Sequence, residues 1–577
     1  MTNRDIARVL SEIADLLEIK GENPFKVRAY QRAAQAIEGL SAQLSQMRGR
    51  RPFTDIPGVG ASIAEKIEEL LATGACRFHQ QLLAEFPASL TALLSIPEVG
   101  PRKAQVLHHA LGITSVDELA QAARDGKLRA LKGFGEKTEQ NILRGIERLR
   151  VHKARLPLAE AHPLAMEVVE NLLLAAPVEK IEPAGSIRRM RDTIGDIDIL
   201  VTSSEPQEVM SAFVNLPVVD HVVAQGPTKT SILSTSGAQV DVRVVEPESF
   251  GAALQYFTGS KEHNIRLREL GLRRGLRLSE YGVFKVKTDR RVAGATEDEV
   301  YAALDLPLIP PELREDRGEI AAAQRGELPR LITVEDIKGD LHVHTKVTDG
   351  HHTIAEMAEA AMGAGYQYIA VCDHSRSVGM AGGLFDEDLL RHAEAIRAAS
   401  KRLKGFTILA GTECDIRRDG TLDYPDEVLA QLDFVIAAVH SGFKMDGESM
   451  TSRIIDAMHN PYLDALAHPT GRIIGKRDPY QVDVERLLAA AAELGVALEI
   501  NAYPDRLDLR DVHARRAKEL GVKMVINTDA HDCDHLRLIT YGVATARRGW
   551  LEPGDVLNTL PLKELRKRLR RNKARAA

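Results

Sequence analysis

Strand and helix patterns alternate in strict order from residue 333 to residue 577. Seven apolar segments read as strands: GDLHVH, YIAVCDH, FTILAGTE, DFVIAAVH, LDALAHP, VALEIN and KMVINTD. Helical patterns separate them, and this alternation is typical of parallel strands joined by crossover helices. The carboxyl-terminal part of the chain is therefore predicted to fold as a parallel α/β barrel or a close relative.

Almost every one of these strands delivers a histidine or a carboxylate at its carboxyl end, where barrel enzymes build their active sites. The candidate ligands are His342, His344, Asp349, His374, Glu413, His440, His468, Asp529 and His531. Nine nitrogen and oxygen ligands without a cysteine exceed the need of one tetrahedral zinc ion. They suit two or three ions, and Mn²⁺, Zn²⁺ or Fe²⁺ would fit. Such a cluster would activate water and hydrolyse a phosphoester. His351, His352, His392 and His459 are interpreted as structural or surface residues.

Three carboxylates mark the middle of the chain. Asp196 and Asp198 alternate on the strand pattern DIDILVTS, and Asp241 has the same phase on AQVDVRVVE. Three acids on one sheet face repel one another unless cations lie among them. Two Mg²⁺ ions would relieve this repulsion and support in-line nucleotidyl transfer to a 3′-hydroxyl. Gly185, Ser186 and Arg189 are placed to hold the triphosphate.

A short hairpin pattern occurs three times near the front, as IPGVGASIAEKI, IPEVGPRKAQVL and LKGFGEKTEQNIL. A glycine turn before a helix presents backbone N–H groups to a phosphate without reading a base. The sequence therefore predicts contact with the DNA backbone, although one such hairpin alone would equally be a helix-packing element. The glycines are Gly58, Gly60, Gly100, Gly133 and Gly135.

The segment from Gly185 to Leu200 resembles the palm signature of family X DNA polymerases, the DNA polymerase beta-like enzymes. YFTGSKEHN (256–264) is similar to the nucleotide-binding segment of that family. The resemblance extends from residue 1 to about residue 310. It implies that Tyr256, Phe257 and Gly259 lie along the sugar and base, and that Asn264 and Arg268 touch the minor-groove side of the nascent pair. It also places Gly195 in the nucleotide site. Lys261 stands where mammalian relatives commonly carry an Asp, so contacts with the incoming base would differ.

The same resemblance concerns a second activity. Some relatives have a 5′-deoxyribose-phosphate lyase activity in their small amino-terminal domain, which needs a Schiff-base lysine. Lys66 matches the nucleophile position, and Lys26 matches a lysine that helps bind the 5′-phosphate. Ser62 stands where those relatives carry a further phosphate-binding lysine, so a solvated helix lysine is the alternative interpretation of Lys66.

The carboxyl-terminal constellation resembles the PHP (polymerase and histidinol phosphatase) domain through its HxH, its Glu, its two single histidines and its final DxH. In bacterial family X polymerases, such a domain is associated with a manganese-dependent 3′–5′ exonuclease. The resemblance therefore implies a distorted (β/α)7 barrel with Mn²⁺ or Zn²⁺ in two or three sites.

The expected architecture is multidomain, with α+β and α/β parts. Its parts are a DNA-binding helical domain (1–85), a fingers-like domain with helix-hairpin-helix motifs (86–150), a nucleotidyltransferase palm (151–250), a thumb-like domain (251–315), a linker (316–332) and the PHP domain (333–577).

These patterns predict a repair polymerase that fills short gaps, with 3′-end processing in the PHP domain. Its expected substrates are gapped or primed DNA and deoxynucleoside triphosphates, and it is expected to be a monomer, with other repair proteins as further partners. The net charge of −6 does not by itself indicate nucleic-acid binding. Four cysteines without a CxxC pair, the absence of a signal-peptide pattern and the lack of a long apolar run suggest a cytoplasmic protein without a membrane span.

Three alternatives stay open at this point. The PHP domain would be a nuclease or phosphatase that a non-catalytic polymerase-like core targets to DNA. The chain would otherwise be a small-molecule phosphomonoesterase fused to an unrelated domain, or a structural scaffold.

Overall fold

The computed structural model describes residues 1, 3–40, 42–49, 52–96, 99–131, 133–151 and 155–570. The chain divides into two compact units, Met1–Ala154 and Arg155–Ala577. Among the described residues, no helix has the length and apolar character that a membrane span requires.

The first unit is helical, as its apolar periodicity predicts. Its α-helices are α1 (Asn3–Lys20), α2 (Pro24–Glu38), α3 (Leu44–Met47), α4 (Ala61–Thr73), α5 (Arg77–Glu85), α6 (Pro101–Leu111), α7 (Val116–Arg124) and α8 (Glu136–Val151). Helix α1 packs against α2, α5 and α6. A single apolar core runs from Ile6 to Ile146, so the segments 1–85 and 86–150 share one core.

A mixed five-stranded sheet opens the second unit, in the order β2-β4-β7-β6-β5. Its strands are β2 (Lys180–Pro183), β4 (Ile197–Thr202), β5 (Val219–Gln225), β6 (Lys229–Ser234) and β7 (Gln239–Val244), while β1 (Leu156–Pro157) pairs with β3 (Thr193–Ile194). Strands β4 and β7 are parallel, and the other neighbours in this sheet are antiparallel. Helices α9 (Leu158–Ala175), α10 (Gly185–Arg188) and α11 (Pro206–Val214) accompany the sheet.

A smaller α+β segment follows. It contains α12 (Phe250–Thr258), α13 (Lys261–Arg273), α14 (Glu297–Ala302) and a three-stranded antiparallel sheet of β8 (Leu276–Ser279), β9 (Gly282–Lys285) and β10 (Arg291–Ala293). The expected linker, 316–332, contains helix α15 (Glu319–Arg325). Ala323 and Leu331 of this stretch are buried in one apolar cluster with Leu267 of α13. The stretch is therefore an ordered and packed part of the second unit. The proline and charge content of the sequence did not indicate this packing, since it depends on apolar residues elsewhere in the chain.

The barrel contains the seven strands that the sequence predicts, all parallel and in chain order. They are β11 (Gly339–Val343), β12 (Tyr368–Val371), β13 (Thr407–Asp415), β14 (Phe434–Ala438), β15 (Ala465–Leu466), β16 (Ala497–Asn501) and β17 (Met524–Asn527). Its helices are α16 (Ile354–Gly363), α17 (Asp386–Ser400), α18 (Asp426–Leu429), α19 (Gly447–Met458), α20 (Val484–Leu494), α21 (Asp511–Glu519), α22 (Ile539–Arg548) and α23 (Leu562–Arg568).

The first and last barrel strands lie side by side. A parallel bridge joins Val343 and Ala530, and the His344 N–H donates to the Ala530 carbonyl over 2.8 Å. One apolar cluster fills the barrel interior, and another lies between the strands and the helices. The predicted multidomain fold with a distorted (β/α)7 barrel is confirmed.

Candidate active sites

The hairpin glycines of the first unit lie just before helices α4, α6 and α8. Gly58 and Gly133 have φ angles of +88° and +90°, a backbone region that favours glycine. A Cβ atom placed at Gly60, Gly100 or Gly135 meets no described atom within 4 Å. A side chain at these three glycines would thus meet open space, and contact of the turns with the DNA backbone stays a prediction.

Lys26 and Lys66 lie over the same aromatic ring. Their Nζ atoms are 5.5 and 5.0 Å from the centre of the Phe78 ring. Lys66 Nζ also donates to the carbonyl and to the hydroxyl of Ser62, at 3.0 and 3.1 Å. The structure thus brings together the two lysines that the sequence comparison with lyase-active relatives singled out, on an exposed face.

The three carboxylates of the palm meet at neighbouring strands. Asp198 in β4 is the register partner of Asp241 in β7, and Asp196 comes directly before β4. Lys229 Nζ lies 2.9 Å from Asp241 Oδ2, and Gln239 Nε2 donates to Asp241 Oδ1 over 2.8 Å. One of the three acids is therefore already balanced by a cation.

The crowding of the three carboxylates changes the pKa of Asp198. Burial, together with the charges of Asp196 and Asp241, raises its carboxyl pKa to about 7. Gly185, at the start of α10, has a φ of +64°, and a Cβ there would lie 2.9 Å from Asp198 Oδ2. The backbone of the GS turn thus lies against a metal-type carboxylate, a combination that brings a triphosphate and a cation together.

The other residues expected at the triphosphate differ in their surroundings. Ser186 follows Gly185 in α10, and Gly195 directly precedes Asp196. The Arg189 guanidinium donates to the Thr258 carbonyl over 2.6 Å and to Glu315 Oε1 over 3.1 Å. Arg189 is thus held by two partners inside the second unit, through Nε and Nη1, and the remaining donors of its guanidinium could still contact a triphosphate.

The expected base-side residues form one group at the α12–α13 junction. The rings of Tyr256 and Phe257 meet edge to face, 5.2 Å apart. Asn264 Nδ2 donates to the Tyr256 carbonyl over 2.6 Å, and a Cβ at Gly259 would lie 2.4 Å from that nitrogen. Gly259 is therefore required for this close approach, and Arg268 lies one turn farther along α13.

All nine ligand-type residues of the barrel gather at the carboxyl ends of its strands. Atoms within 4.8 Å of one another define three sets: His344, Asp349, His374 and His531; His342, His344 and Asp529; and His374, Glu413 and His440. The ninth, His468, has its Nε2 2.9 Å from Glu413 Oε1. His344 and His374 each belong to two of the sets and so link all three into one centre, as two or three bridged ions require.

Several imidazole nitrogens in this centre are buried and make no well-aligned hydrogen bond to a described residue, although carboxylate oxygens lie as close as 2.9 Å. They are His342 Nε2, both ring nitrogens of His344, His374 Nδ1 and His440 Nδ1. Unpaired buried polar atoms are costly, so such a set in one place indicates that metal ions complete it. The donors are imidazoles and carboxylates, which suit Zn²⁺, Mn²⁺ or Fe²⁺.

The pKa values follow from the same crowding. Burial lowers the pKa of His344 to about 4, with His531 and His374 adding to the effect. At His374 burial also lowers the pKa, but Glu413 and Asp349 outweigh it and raise the pKa to about 10. Without metal ions, a protonated His374 thus balances the negative charge of the nearby carboxylates. Metal cations would supply that positive charge in its place.

A second layer of acids, which sequence reasoning missed, orients the ligands. Glu499 Oε1 lies 2.8 Å from the ring Nδ1 of His342, a contact that fixes the tautomer and orientation of this ligand. Glu499 Oε2 also accepts from the backbone N–H of His468 over 2.8 Å, and Asp415 accepts from the backbone N–H of His440 over 3.0 Å, so both acids hold the backbone from which these ligands project. Asp373 binds His392 Nε2 at 2.7 Å, which supports a structural role for that histidine. The available signal was a glutamate inside the buried strand VALEIN.

These two sites define a class of protein: a nucleotidyltransferase joined to a metal-dependent phosphoesterase. Family comparison matches a helix-hairpin-helix domain at residues 1–76, a SAM-like helix-hairpin-helix tandem at 90–148, the DNA polymerase beta thumb at 253–315 and the PHP domain at 340–502. The chain is 40% identical to the DNA polymerase/3′-5′ exonuclease PolX of Bacillus subtilis over 574 residues, covering 99% of this chain and all of that protein. The chain therefore belongs to the bacterial family X DNA polymerases with a carboxyl-terminal PHP domain.

Two further relatives match parts of the chain. A probable phosphatase of Caldanaerobacter subterraneus is 34% identical over 206 residues, which is 34% of this chain and 76% of that protein. DNA polymerase lambda of Rattus norvegicus is 26% identical over 343 residues, which is 54% of this chain and 56% of that protein. The likenesses to a polymerase and to a phosphatase thus agree with the two-site architecture.

Proposed function

We propose that this protein is a DNA repair polymerase that fills short gaps by template-directed nucleotidyl transfer, and that its PHP domain is a metal-dependent 3′–5′ exonuclease. The observation that carries the polymerase half is the register pairing of Asp198 with Asp241 beside the Gly185 turn. The nuclease half is supported by the nine-residue centre and by the full-length likeness to PolX.

In the polymerase site, Asp196, Asp198 and Asp241 would hold Mg²⁺, which supplies charge neutralisation for the triphosphate and the 3′-hydroxyl. Asp241 is the acid assigned to orient or deprotonate the 3′-hydroxyl. Lys229 and Gln239 fix its two oxygens and so limit its rotation. Gly185 and Ser186 would bind the triphosphate through backbone N–H and hydroxyl groups.

Arg189 is assigned to the triphosphate as well. Glu315 and the Thr258 carbonyl hold its Nε and Nη1 and so fix the guanidinium, whose remaining donors would bind a phosphate oxygen. Gly195 and the group of Tyr256, Phe257, Gly259, Asn264 and Arg268 would then line the sugar and base.

In the PHP site, the nine histidines and carboxylates would hold two or three Mn²⁺ or Zn²⁺ ions, which supply an activated water and bind the phosphate. Glu499 and Asp415 keep His342, His468 and His440 in place. These second-layer acids are expected to matter nearly as much as the ligands.

The proposed partners are gapped or primed DNA and deoxynucleoside triphosphates. The hairpin glycines, Lys26 and Lys66 would contact phosphates, which makes the affinity strongly dependent on salt. Lyase activity at Lys66 is a further hypothesis. We also propose a monomer that works in the cytoplasm, which is consistent with four free cysteines, three of them buried.

The competing function is a PHP nuclease or phosphatase that a non-catalytic core targets to DNA. The likeness of the barrel to a probable phosphatase is compatible with it, whereas the paired carboxylates of the palm favour a catalytic core. A labelled primer on one-nucleotide-gapped DNA decides between the two. The reaction contains Mn²⁺, with and without nucleotides, and compares wild type with Asp198→Ala and His342→Ala. We expect extension to disappear only in Asp198→Ala and shortening only in His342→Ala. Shortening without any extension in the wild type would make the hydrolase the function.

A further inference from the structure

A small cavity lies inside the second unit, where the palm meets the barrel. It encloses about 20 Å³ between the palm loop that follows α10, the chain just before α15, and barrel residues around α21 and α22. The charged side chains of its wall are Arg191, Arg317, Arg472, Arg510 and Arg548, with Asp192 and Asp511. No residue of this wall belongs to the two candidate active sites, so neither proposed reaction explains it.

The arginines of this wall outnumber its acids. Asp192 pairs with Arg472 at 3.0 Å, and Asp511 accepts from both Arg317 and Arg548 at 2.8 Å. Two carboxylates thus face five guanidinium groups. Arg472 and Arg548 are only 7% and 6% exposed, so solvent screens their charge poorly.

A third carboxylate, Glu315, lies behind the wall and does not remove the excess. It is 3.0 Å from Arg548 and 3.3 Å from Arg191, but it is also shared with Arg189 at 3.1 Å. Arg510 has no share in these pairs, and its Nε is buried without a hydrogen bond to a described residue. A buried donor that is left unpaired is costly, so the position indicates an acceptor that comes from outside the chain.

The size of the cavity limits what this acceptor can be. A single water molecule needs about 10–15 Å³, so a cavity of about 20 Å³ takes one compact group and excludes a nucleotide. The side chains of Arg191 and Arg317 stay 31% and 24% exposed, which gives a small solute access from solvent. Guanidinium groups match the oxygens of a tetrahedral oxyanion, and an anion with two charges balances more of the excess than chloride does.

We propose that this cavity binds one free inorganic oxyanion of the phosphate class, which bridges the polymerase core and the barrel. Arg191 contacts it from the palm side, and Arg510 donates to it through Nε from the barrel side. A phosphodiester of DNA carries a sugar on each side, which a cavity of this size does not admit. The anion therefore stabilises the junction of the two catalytic parts and takes no part in either reaction.

Titration calorimetry of the full-length protein with inorganic phosphate tests the site. Potassium glutamate keeps the ionic strength constant, because glutamate is too large for the cavity. A chelator removes divalent ions, through which phosphate would otherwise bind at the two candidate active sites. Arg510→Gln is the test variant, and Arg391→Gln, at a side chain 68% exposed on α17, is the control. Scanning calorimetry of the same samples measures the Tm, with chloride in place of phosphate as a comparison.

We expect the wild type and Arg391→Gln to bind one phosphate per chain and to gain Tm as the phosphate concentration rises. Arg510→Gln should bind phosphate about 10- to 100-fold more weakly, because a charge-assisted hydrogen bond is lost. Without phosphate, the Tm of Arg510→Gln should equal or exceed that of the wild type, since one unbalanced charge is gone. An arginine with a merely structural role would lower the Tm in both conditions.

Two results on the wild type alone would overturn the proposal, whatever the stability of the variant. They are a lack of phosphate binding at millimolar concentration, and a gain in Tm with chloride as large as that with phosphate. Equal phosphate affinity in Arg510→Gln and the wild type would also overturn it, because the anion would then lie elsewhere. Displacement of phosphate by a single-stranded oligonucleotide would assign the cavity to the DNA backbone instead.

Discussion

Gly185 is the position in the polymerase site where a side chain would collide with a catalytic-type carboxylate. A Cβ would lie 2.9 Å from Asp198 Oδ2, and the φ of +64° adds strain for any other residue. Gly185→Ala is therefore expected to displace Asp198 and to lower nucleotide addition about 100-fold, as small misplacements at reacting groups do. Primer extension on gapped DNA measures this effect, with 3′-end shortening unchanged.

Gly237→Ala is the matched control for this prediction. Gly237 has a φ of +82°, but a Cβ there meets nothing described within 4 Å. It therefore shares the backbone strain of Gly185 without the carboxylate contact. Equal extension rates in Gly185→Ala and Gly237→Ala would show that the contact with Asp198 has no role in nucleotide addition.

The unpaired nitrogens of the PHP centre predict that metal ions stabilise the barrel. A ligand present at about 100 times its Kd adds roughly 2.7 kcal/mol to folding stability. Removal of metal with a chelator should lower the Tm of the corresponding transition by about 5–10 °C, and Mn²⁺ should restore it. In His344→Gln the chelator should have little effect, because both ring nitrogens of His344 belong to the unpaired set. Scanning calorimetry of His344→Gln against His459→Gln, at an exposed histidine, tests this; a full metal response in His344→Gln would contradict it.

At the scale of single residues, the sequence predicted which residues gather at a site better than it predicted the contacts that hold them there. A histidine at a strand end is visible as a pattern, and the structure gathers all nine candidates in one centre. Arg189 was expected at a triphosphate, yet Thr258 and Glu315 hold it here. These partners are 69 and 126 residues away, so no local pattern indicates them. Glu499 was missed for the same reason, since its role depends on His342, 157 residues away.

Among the elements, strands with strong apolar runs were predicted most reliably. All seven barrel strands occur where the patterns indicated, even though β15 spans only two residues. The stretch 316–332 was expected as a linker, because its proline and charge content resembles a connection. It contains α15 instead, and its buried Glu319 lies 2.6 Å from the ring Nδ1 of His263, 56 residues away. A charged residue that a distant partner binds in the interior looks like a surface residue in the sequence.

The contact between helices α12 and α14 depends on a glycine. A Cβ at Gly251 would lie 2.0 Å from the backbone carbon of Thr296, which caps α14. Gly251→Ala is therefore expected to destabilise the second unit by about 1–3 kcal/mol through overpacking. Urea unfolding measures this change. Gly363→Ala, in a helix where a Cβ meets nothing described within 4 Å, should be neutral or stabilising by up to about 1 kcal/mol. Equal effects of the two substitutions would argue against the packing explanation.

Across the second unit, a buried ion-pair network connects the palm and thumb segments to the barrel. Arg548 of α22 donates to the Arg189 carbonyl, to Glu315 and to Asp511 at 2.7, 3.0 and 2.8 Å. Arg317 donates to the same oxygen of Asp511, and Arg472 pairs with Asp192 at 3.0 Å. The Glu315 and Asp192 contacts place residues of the polymerase core against the nuclease barrel. These arginine contacts therefore join the polymerase core and the barrel within one folded unit.

This network predicts how stability depends on pH. Burial raises the carboxyl pKa values of Glu315 and Asp511, but nearby arginines outweigh it and hold both below their ordinary range. Because the folded pKa values are depressed, the stabilisation is complete above the unfolded pKa of about 4 and is lost as the pH falls below it. The free energy of unfolding of the wild type, measured with urea, should therefore fall steeply below about pH 4. Glu315→Gln should be less stable at pH 7 and show a shallower acid slope; parallel slopes would contradict the assignment.

Arg548→Met removes the cation at the centre of the network and leaves Glu315 and Asp511 buried with fewer partners. Removing one partner of a buried ion pair typically costs about 3–5 kcal/mol, so we expect the unfolding of the second unit to shift to lower urea and the protease sensitivity of the native protein to rise. Arg537→Met removes an exposed arginine whose side chain is 75% accessible and should change neither.

The double variant Arg548→Met with Glu315→Gln should recover part of the loss, because one unpaired charge is then gone. If the stability lost in the double variant equals the sum of the losses in the two single variants, Arg548 and Glu315 act independently. The network then does not join the polymerase core to the barrel.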